Sequence, residues 1–196
     1  MGSPKALISY QGASFLEHLL SVTRHPAIGV RRVVLGPDAV EISQQVKLAA
    51  GEIVINKDWE QGQLSSIQAA VRSLPAGTEG MLLCPVDHPL VSARLVNSLI
   101  VTFLETRAPI VLPMYEGRRG HPVIFDASLF DELRGAPLDR GARVVVHAHM
   151  SSSVDVPVDA VLVPGVVVLP VAGEAGHHGE FVPALRVEVG VAAAAV

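Results

Sequence analysis

GMLLCPVDHPL, residues 80–90, has an apolar beginning and a polar end. Seven residues from Gly80 to Val86 form a run too short for a helix, which reads as a strand buried on both faces. Asp87 follows at once, then His88 and Pro89. In open parallel sheets, ligands bind beyond the carboxyl ends of the strands. A lone carboxylate there suits Mg²⁺, which takes one or two carboxylates and fills its shell with water and phosphate oxygens. The same residues also suit a plain turn before a helix capped by Ser92. Both readings stand on this stretch alone.

On either side, strand and helix patterns alternate. Upstream, SFLEHLLSVTR carries Ser14 and Glu17 at capping-box spacing, with Phe15, Leu16, Leu19 and Leu20 on one helical face. VRRVVLG predicts a strand from about Val30 to Leu35, closed by Gly36-Pro37. DAVEISQQVKLAA reads as a helix, EIVIN as a strand, and SSIQAAVRSL as a helix capped by Ser65 or Ser66. Downstream, SARLVNSLIVTFLETR has the apolar stripe Leu95, Val96, Leu99, Ile100 and Phe103. APIVLP, HPVIF and SVDVPV read as strands, ASLFDELR and RGARVVVHAH as helices. The alternation predicts an α/β fold with a mostly parallel sheet covered by helices.

Composition narrows the function. The chain has 196 residues, 49% hydrophobic and 17% charged, enough for one domain with a sizeable core. A formal net charge of -4 argues against binding nucleic acid through bulk charge. Cys84 is the one cysteine, which excludes an internal disulfide and a Cys-rich zinc site. No signal-peptide pattern and no apolar run of about 20 residues is present, so a cytoplasmic chain without membrane partners is expected. From about Ala160 the charge thins and no period is clear, which sets residues 159–196 apart from 1–158 as an apolar tail of unassigned structure.

Three further stretches are candidates for chemistry. MGSPKALISY gathers Gly2, Ser3 and Lys5 as in a phosphate-binding turn. NKDWEQGQLSSIQAA brings Gly62, Ser65 and Ser66 to a helix start, suited to a nucleotide or to ordinary capping. YEGRRGHPVIF places Arg118, Arg119, Gly120 and His121 in a basic, glycine-flanked connection, able to grip an anion or merely solvated. His147 and His149 lie two apart and would face different sides of a helix, so no histidine-based metal site is expected.

In this order, MGSPKAL, NKDWEQGQLSS, VDHPLV, GRRGHPVIF and DRGAR resemble the molybdenum-cofactor nucleotidyltransferases, and most of all the branch that joins CTP to molybdopterin. The resemblance covers about residues 1–158. It implies a Rossmann-like, three-layer nucleotidyltransferase fold and transfer of CMP from CTP to a phosphorylated, pterin-type acceptor. It further implies Lys5 on the triphosphate, Asp87 holding Mg²⁺, and Gly62, Ser65 and Ser66 on the nucleotide. Arg118, Arg119, Gly120 and His121 fall near the second substrate. A molybdoenzyme that receives the product is the implied protein partner. Relatives of this kind begin with a strand and a Gly-rich phosphate loop before the Met-Gly-x-x-Lys element, so the sheet is expected to lack its first strand. Their later Asp-x-Asp motif is replaced by DAVL at residues 159–162. A GTP-using or other-acceptor transferase, a nucleotide- or cofactor-binding module without catalysis, and an inactive truncated homologue are the alternatives.

Overall fold

The computed structural model describes residues 3–88, 91–158 and 187–193. Its first helix forms for local reasons. A hairpin of β1 (Ser9–Tyr10) and β2 (Ala13–Ser14) turns at Gln11 and Gly12 and delivers Ser14 as the cap of α1 (Phe15–Val22). Ser14 Oγ accepts from the Glu17 amide at 3.3 Å, and Glu17 Oε2 accepts from the Ser14 amide at 2.8 Å. These donors hold the Glu17 carboxyl below its usual range. The predicted capping box is therefore present in full.

The elements that follow are β3 (Ile28–Leu35), α2 (Ala39–Gln45), β4 (Ile53–Ile55), α3 (Gln63–Ser73) and β5 (Gly80–Pro85). Next come α4 (Ala93–Thr106), β6 (Ile110–Tyr115), β7 (Arg118–Arg119) and β8 (Val123–Asp126). The last are α5 (Phe130–Gly135), α6 (Arg143–Ala148), β9 (Val154–Pro157) and β10 (Val187–Ala193). Each strand and helix expected from the sequence is present, with shifted ends.

Eight strands form one sheet in the order β4-β3-β10-β5-β8-β6-β7, with β9 beside β6. Strands β4, β3, β10 and β5 are mutually parallel; β8 runs against β5 and β6, and β9 runs with β6. The alternation of side chains sends each strand into two cores. Val33, Leu35, Leu82 and Cys84 join Leu16, Leu19, Ile42, Val96, Leu99, Ile100 and Phe103 on one face. Val34, Met81 and Leu83 join Leu64, Ile67, Val71, Phe130, Leu133 and Val145 on the other. Helices α1, α2 and α4 thus cover one side, and α3, α5 and α6 the other, giving three layers.

Two features were not expected. The middle of the sheet, between β3 and β5, is not open: it holds β10, from the stretch left unassigned. Asp159 and the rest of 159–186 lie outside the described residues. Gly80 also has a packing role, since a Cβ there would sit 2.8 Å from Phe103 Cζ. Among the described residues, no helix is long and apolar enough to cross a membrane.

Candidate active site

Strands β3, β4, β5 and β6 all end on one edge of the sheet, and the chemistry-bearing residues collect there. At the end of β4 the chain passes straight into Asn56, which is 3% exposed. Its amide donates to Leu35 O at 2.8 Å, tying it to the end of β3. Its Nδ2 donates to Ser65 Oγ at 2.8 Å and Ser66 Oγ at 3.0 Å, and its Oδ1 accepts from the Asp58 amide at 3.0 Å. Ser65 Oγ in turn donates to Gly62 O at 2.8 Å. One buried side chain thereby fixes both ends of the 57–64 segment.

This arrangement corrects the expected capping of α3. The helix starts at Gln63, and its N-cap is Gly62, not Ser65 or Ser66. Gly62 has φ +89° and ψ -178°, a conformation that only glycine adopts without strain. Ser65 and Ser66 lie inside the first turn, buried, with their hydroxyls engaged by Asn56. Trp59 packs on the end of β3: a Cβ on Gly36 would lie 3.2 Å from Trp59 Cβ. Asn56 was not singled out from the sequence. An Asn directly after a short strand and before a glycine-led helix was the available signal.

At the neighbouring strand end, β5 stops at Pro85 and turns, with the His88 amide donating to Pro85 O at 3.2 Å. Asp87 points outward, its side chain 53% exposed, and His88 Nε2 stands 3.7 Å from its Oδ1, beyond hydrogen-bond reach. That leaves the carboxylate oxygens available to a cation. No group of three or more His, Cys, Asp or Glu among the described residues could hold a metal, so Asp87 would act with water and ligand oxygens, as Mg²⁺ prefers. The His88 ring, in contrast, is buried and lies 4.8 Å from the ring of His121 at the start of β8. Burial, with His88 adding to it, holds the His121 pKa down at about 4, so His121 is neutral near pH 7. On α1, His18 Nε2 donates to Val91 O at 2.8 Å and anchors the chain beyond this turn.

Lys5 opens a single 3-10 turn, Lys5–Leu7, and borders a narrow cleft with Gly36, Asp38 and Val86. The turn is thus at the mouth between β3 and β5, one residue from Asp87. The basic hairpin divides. Arg118 is exposed, whereas Arg119 is held by Asp155 on β9 through Nε–Oδ1 at 2.8 Å and Nη2–Oδ2 at 3.0 Å. This ion pair, with its one Nη2–Oδ2 hydrogen bond, fixes the hairpin's base, and among the described residues Arg118 has no ion-pair partner. The Gly120 amide donates to Pro113 O at 3.0 Å, closing the hairpin back on β6. Lys5, Asp87 and His121 therefore gather around the end of β5, with Gly62, Ser65 and Ser66 on the α3 side.

A larger cavity, about 720 Å³, opens at the opposite end of β3, bordered by Arg24, His25, Arg31, Arg32, Gly51 and Glu52. Arg31 is paired with Glu52 at 2.6 Å, and Arg32 donates to the carbonyls of Ser73 and Gly51. Arg31 and Arg32 are thus occupied in holding elements together, and the cavity lies away from the strand ends that bind ligands in such sheets.

A three-layer sheet with its polar groups on the carboxyl edge is the architecture of nucleotide-handling enzymes, and this chain is a nucleotidyltransferase of that class. It belongs to the MobA-like NTP transferase domain family, whose profile matches residues 1–154. It is 31% identical over 153 residues to nicotine blue oxidoreductase of Paenarthrobacter nicotinovorans, covering 72% of each chain. Its fold matches Rv0371c of Mycobacterium tuberculosis with a TM-score of 0.72, at 24% identity and 82% coverage of both chains. The same protein has been solved in complex with manganese, and that structure matches with a TM-score of 0.70, at 24% identity and coverage of 81% of this chain and 84% of that one. Molybdopterin-guanine dinucleotide biosynthesis protein A of Archaeoglobus fulgidus matches with a TM-score of 0.56, at 18% identity and coverage of 80% of this chain and 76% of that one.

Proposed function

We propose that the chain transfers CMP from CTP to the phosphate of a pterin-type acceptor, releasing pyrophosphate, in the cytoplasm and ahead of a molybdoenzyme recipient. The observation that supports this reading is that Lys5 borders a cleft with Val86, next to Asp87 at the end of β5, while the glycine-led start of α3 follows the end of β4 on the same edge. An oxygen of the acceptor phosphate attacks the α-phosphorus, and the bond from that phosphorus to the departing pyrophosphate breaks. Positioning and charge neutralisation supply most of the rate in such transfers. Lys5 offsets triphosphate charge as a point cation. A Mg²⁺ ion held by Asp87 would neutralise phosphate charge at the reacting end. Gly62 lets the backbone approach the nucleotide closely, and Ser65 and Ser66 act through Asn56 to fix that approach. Arg118, Gly120 and the neutral ring of His121 border the acceptor side, with Arg119 as their support.

Asp87→Asn tests the assignment. Calorimetric titration with CTP is expected to show Mg²⁺-dependent binding in the parent chain and its loss in the variant, with no change in melting temperature. Full Mg²⁺-dependent binding by Asp87→Asn would make Asp87 a turn residue only.

One finding favours a second reading. The relative at 31% identity is named an oxidoreductase, and one fold can host several chemistries. In that case the same edge takes a nicotinamide dinucleotide. Stabilisation by NADH or NADPH, with none by CTP and Mg²⁺, is the result that would select it.

A further inference from the structure

The central slot of the sheet is filled by residues far in sequence from everything else at the site. Strand β10 is parallel to both neighbours, with Val191 opposite Cys84 and Ala193 opposite Leu35. It therefore leaves the sheet at the carboxyl edge, beside Leu35 and Pro85. The turn at Lys5–Leu7 stands on that same edge, against Gly36 and Val86. A strand in this slot satisfies backbone groups of both β3 and β5, and without it two long strand edges would stand unpaired in the middle of the sheet. Val187, Val189 and Val191 alternate as in a strand, while Gly190, Ala192 and Ala193 add little preference of their own, so pairing with both neighbours completes what local propensity begins.

We infer that β10 is a working part of the nucleotide site: residues 3–7 and 187–193 assemble it from opposite ends of the sequence, and seating of the strand and binding of a nucleoside triphosphate reinforce each other. The inference rests on the proposed placement of the triphosphate at Lys5. A ligand that binds only the assembled edge stabilises the seated strand by mass action. The seated strand must then favour the ligand by the same factor.

The test uses the full chain carrying Val191→Cys. Cys84 is the only native cysteine, and the register sets the two Cα atoms side by side. The spacing of adjacent strands, about 4.8 Å, lies within disulfide range. Because the Cys84 thiol is buried in the folded chain, the reduced, unfolded variant is refolded in a glutathione redox buffer, which should give a link within one chain, read by intact mass and non-reducing electrophoresis. Glu188→Cys, opposite Met81, should give none. The linked protein should bind CTP with Mg²⁺ at least as tightly as its reduced form. In the parent chain, CTP with Mg²⁺ should slow amide exchange over 187–193 several-fold. No link, or a link only between two chains, overturns assembly within a single chain. Linked protein that loses CTP binding retained by the reduced form, or unchanged exchange in the presence of bound CTP, overturns the coupling. A chain that links yet binds CTP in neither form refutes the nucleotide function and leaves the strand placement standing.

Discussion

Asn56→Ala is the substitution whose effect follows most directly from geometry. The side chain is 3% exposed and makes three hydrogen bonds, two from Nδ2 to Ser65 and Ser66 and one from the Asp58 amide to Oδ1. Each is worth about 1 kcal/mol net, and a buried polar group left without a partner costs about 1–3 kcal/mol more. Ser65 keeps its bond to Gly62 O, while the Ser66 hydroxyl, only 4% exposed, loses the partner it has. The total is about 4–6 kcal/mol, a fall in melting temperature of roughly 10–20 °C for a chain of this size. Thermal unfolding measures that loss, and titration with CTP and Mg²⁺ measures the second effect, weaker nucleotide binding from a loosened 57–62 segment. Asn56→Asp separates the two. Its carboxylate still accepts from Asp58 and from rotated serine hydroxyls, which offsets part of the cost of burying a charge, while that charge repels a triphosphate, so binding should fall further than in Asn56→Ala without a matching further loss of stability. A loss under about 1 kcal/mol with unchanged affinity for Asn56→Ala would refute the positioning role.

Other perturbations have defined outcomes. Gly80→Ala forces a methyl group onto the Phe103 ring, and calorimetry should show a loss of about 1–3 kcal/mol. His121 is neutral in the fold with a pKa of about 4 but titrates near 6.5 when unfolded, so the unfolded chain takes up the extra proton between these values. Stability should therefore be full above pH 6.5 and fall as the pH drops toward 4, by up to about 3 kcal/mol, and His121→Gln should flatten that slope in denaturant melts at a series of pH values.

The sequence was most legible where structure is local or strongly periodic. The capping box of Ser14 and Glu17 needs only four consecutive residues, and β5 and α4 carry continuous or striped apolar patterns. The start of α3 was misread because hydroxyl residues normally cap helices, whereas here a buried Asn from the preceding strand end takes both hydroxyls. Strand β10 was harder to read because the alternation of Val187, Val189 and Val191 is broken by Gly190 and fades into Ala192 and Ala193 within a valine-rich stretch, and the slot between β3 and β5 that takes it is not visible in the sequence. Asp87 and Lys5 were found as separate motifs, but their meeting on one edge depends on the parallel order of β3, β10 and β5. The contact of the tilted His88 and His121 rings joins the turn after β5 to the segment before β8, which no spacing in the sequence reveals.

The full chain, supplied with Mg²⁺, molybdopterin and either CTP or GTP, can be followed by pyrophosphate release. Release is expected with CTP, dependent on both the acceptor and Mg²⁺, with little from GTP and none from Asp87→Asn. Acceptor-dependent release that persists in Asp87→Asn, or none from the parent chain with any nucleotide, would contradict the proposed transfer.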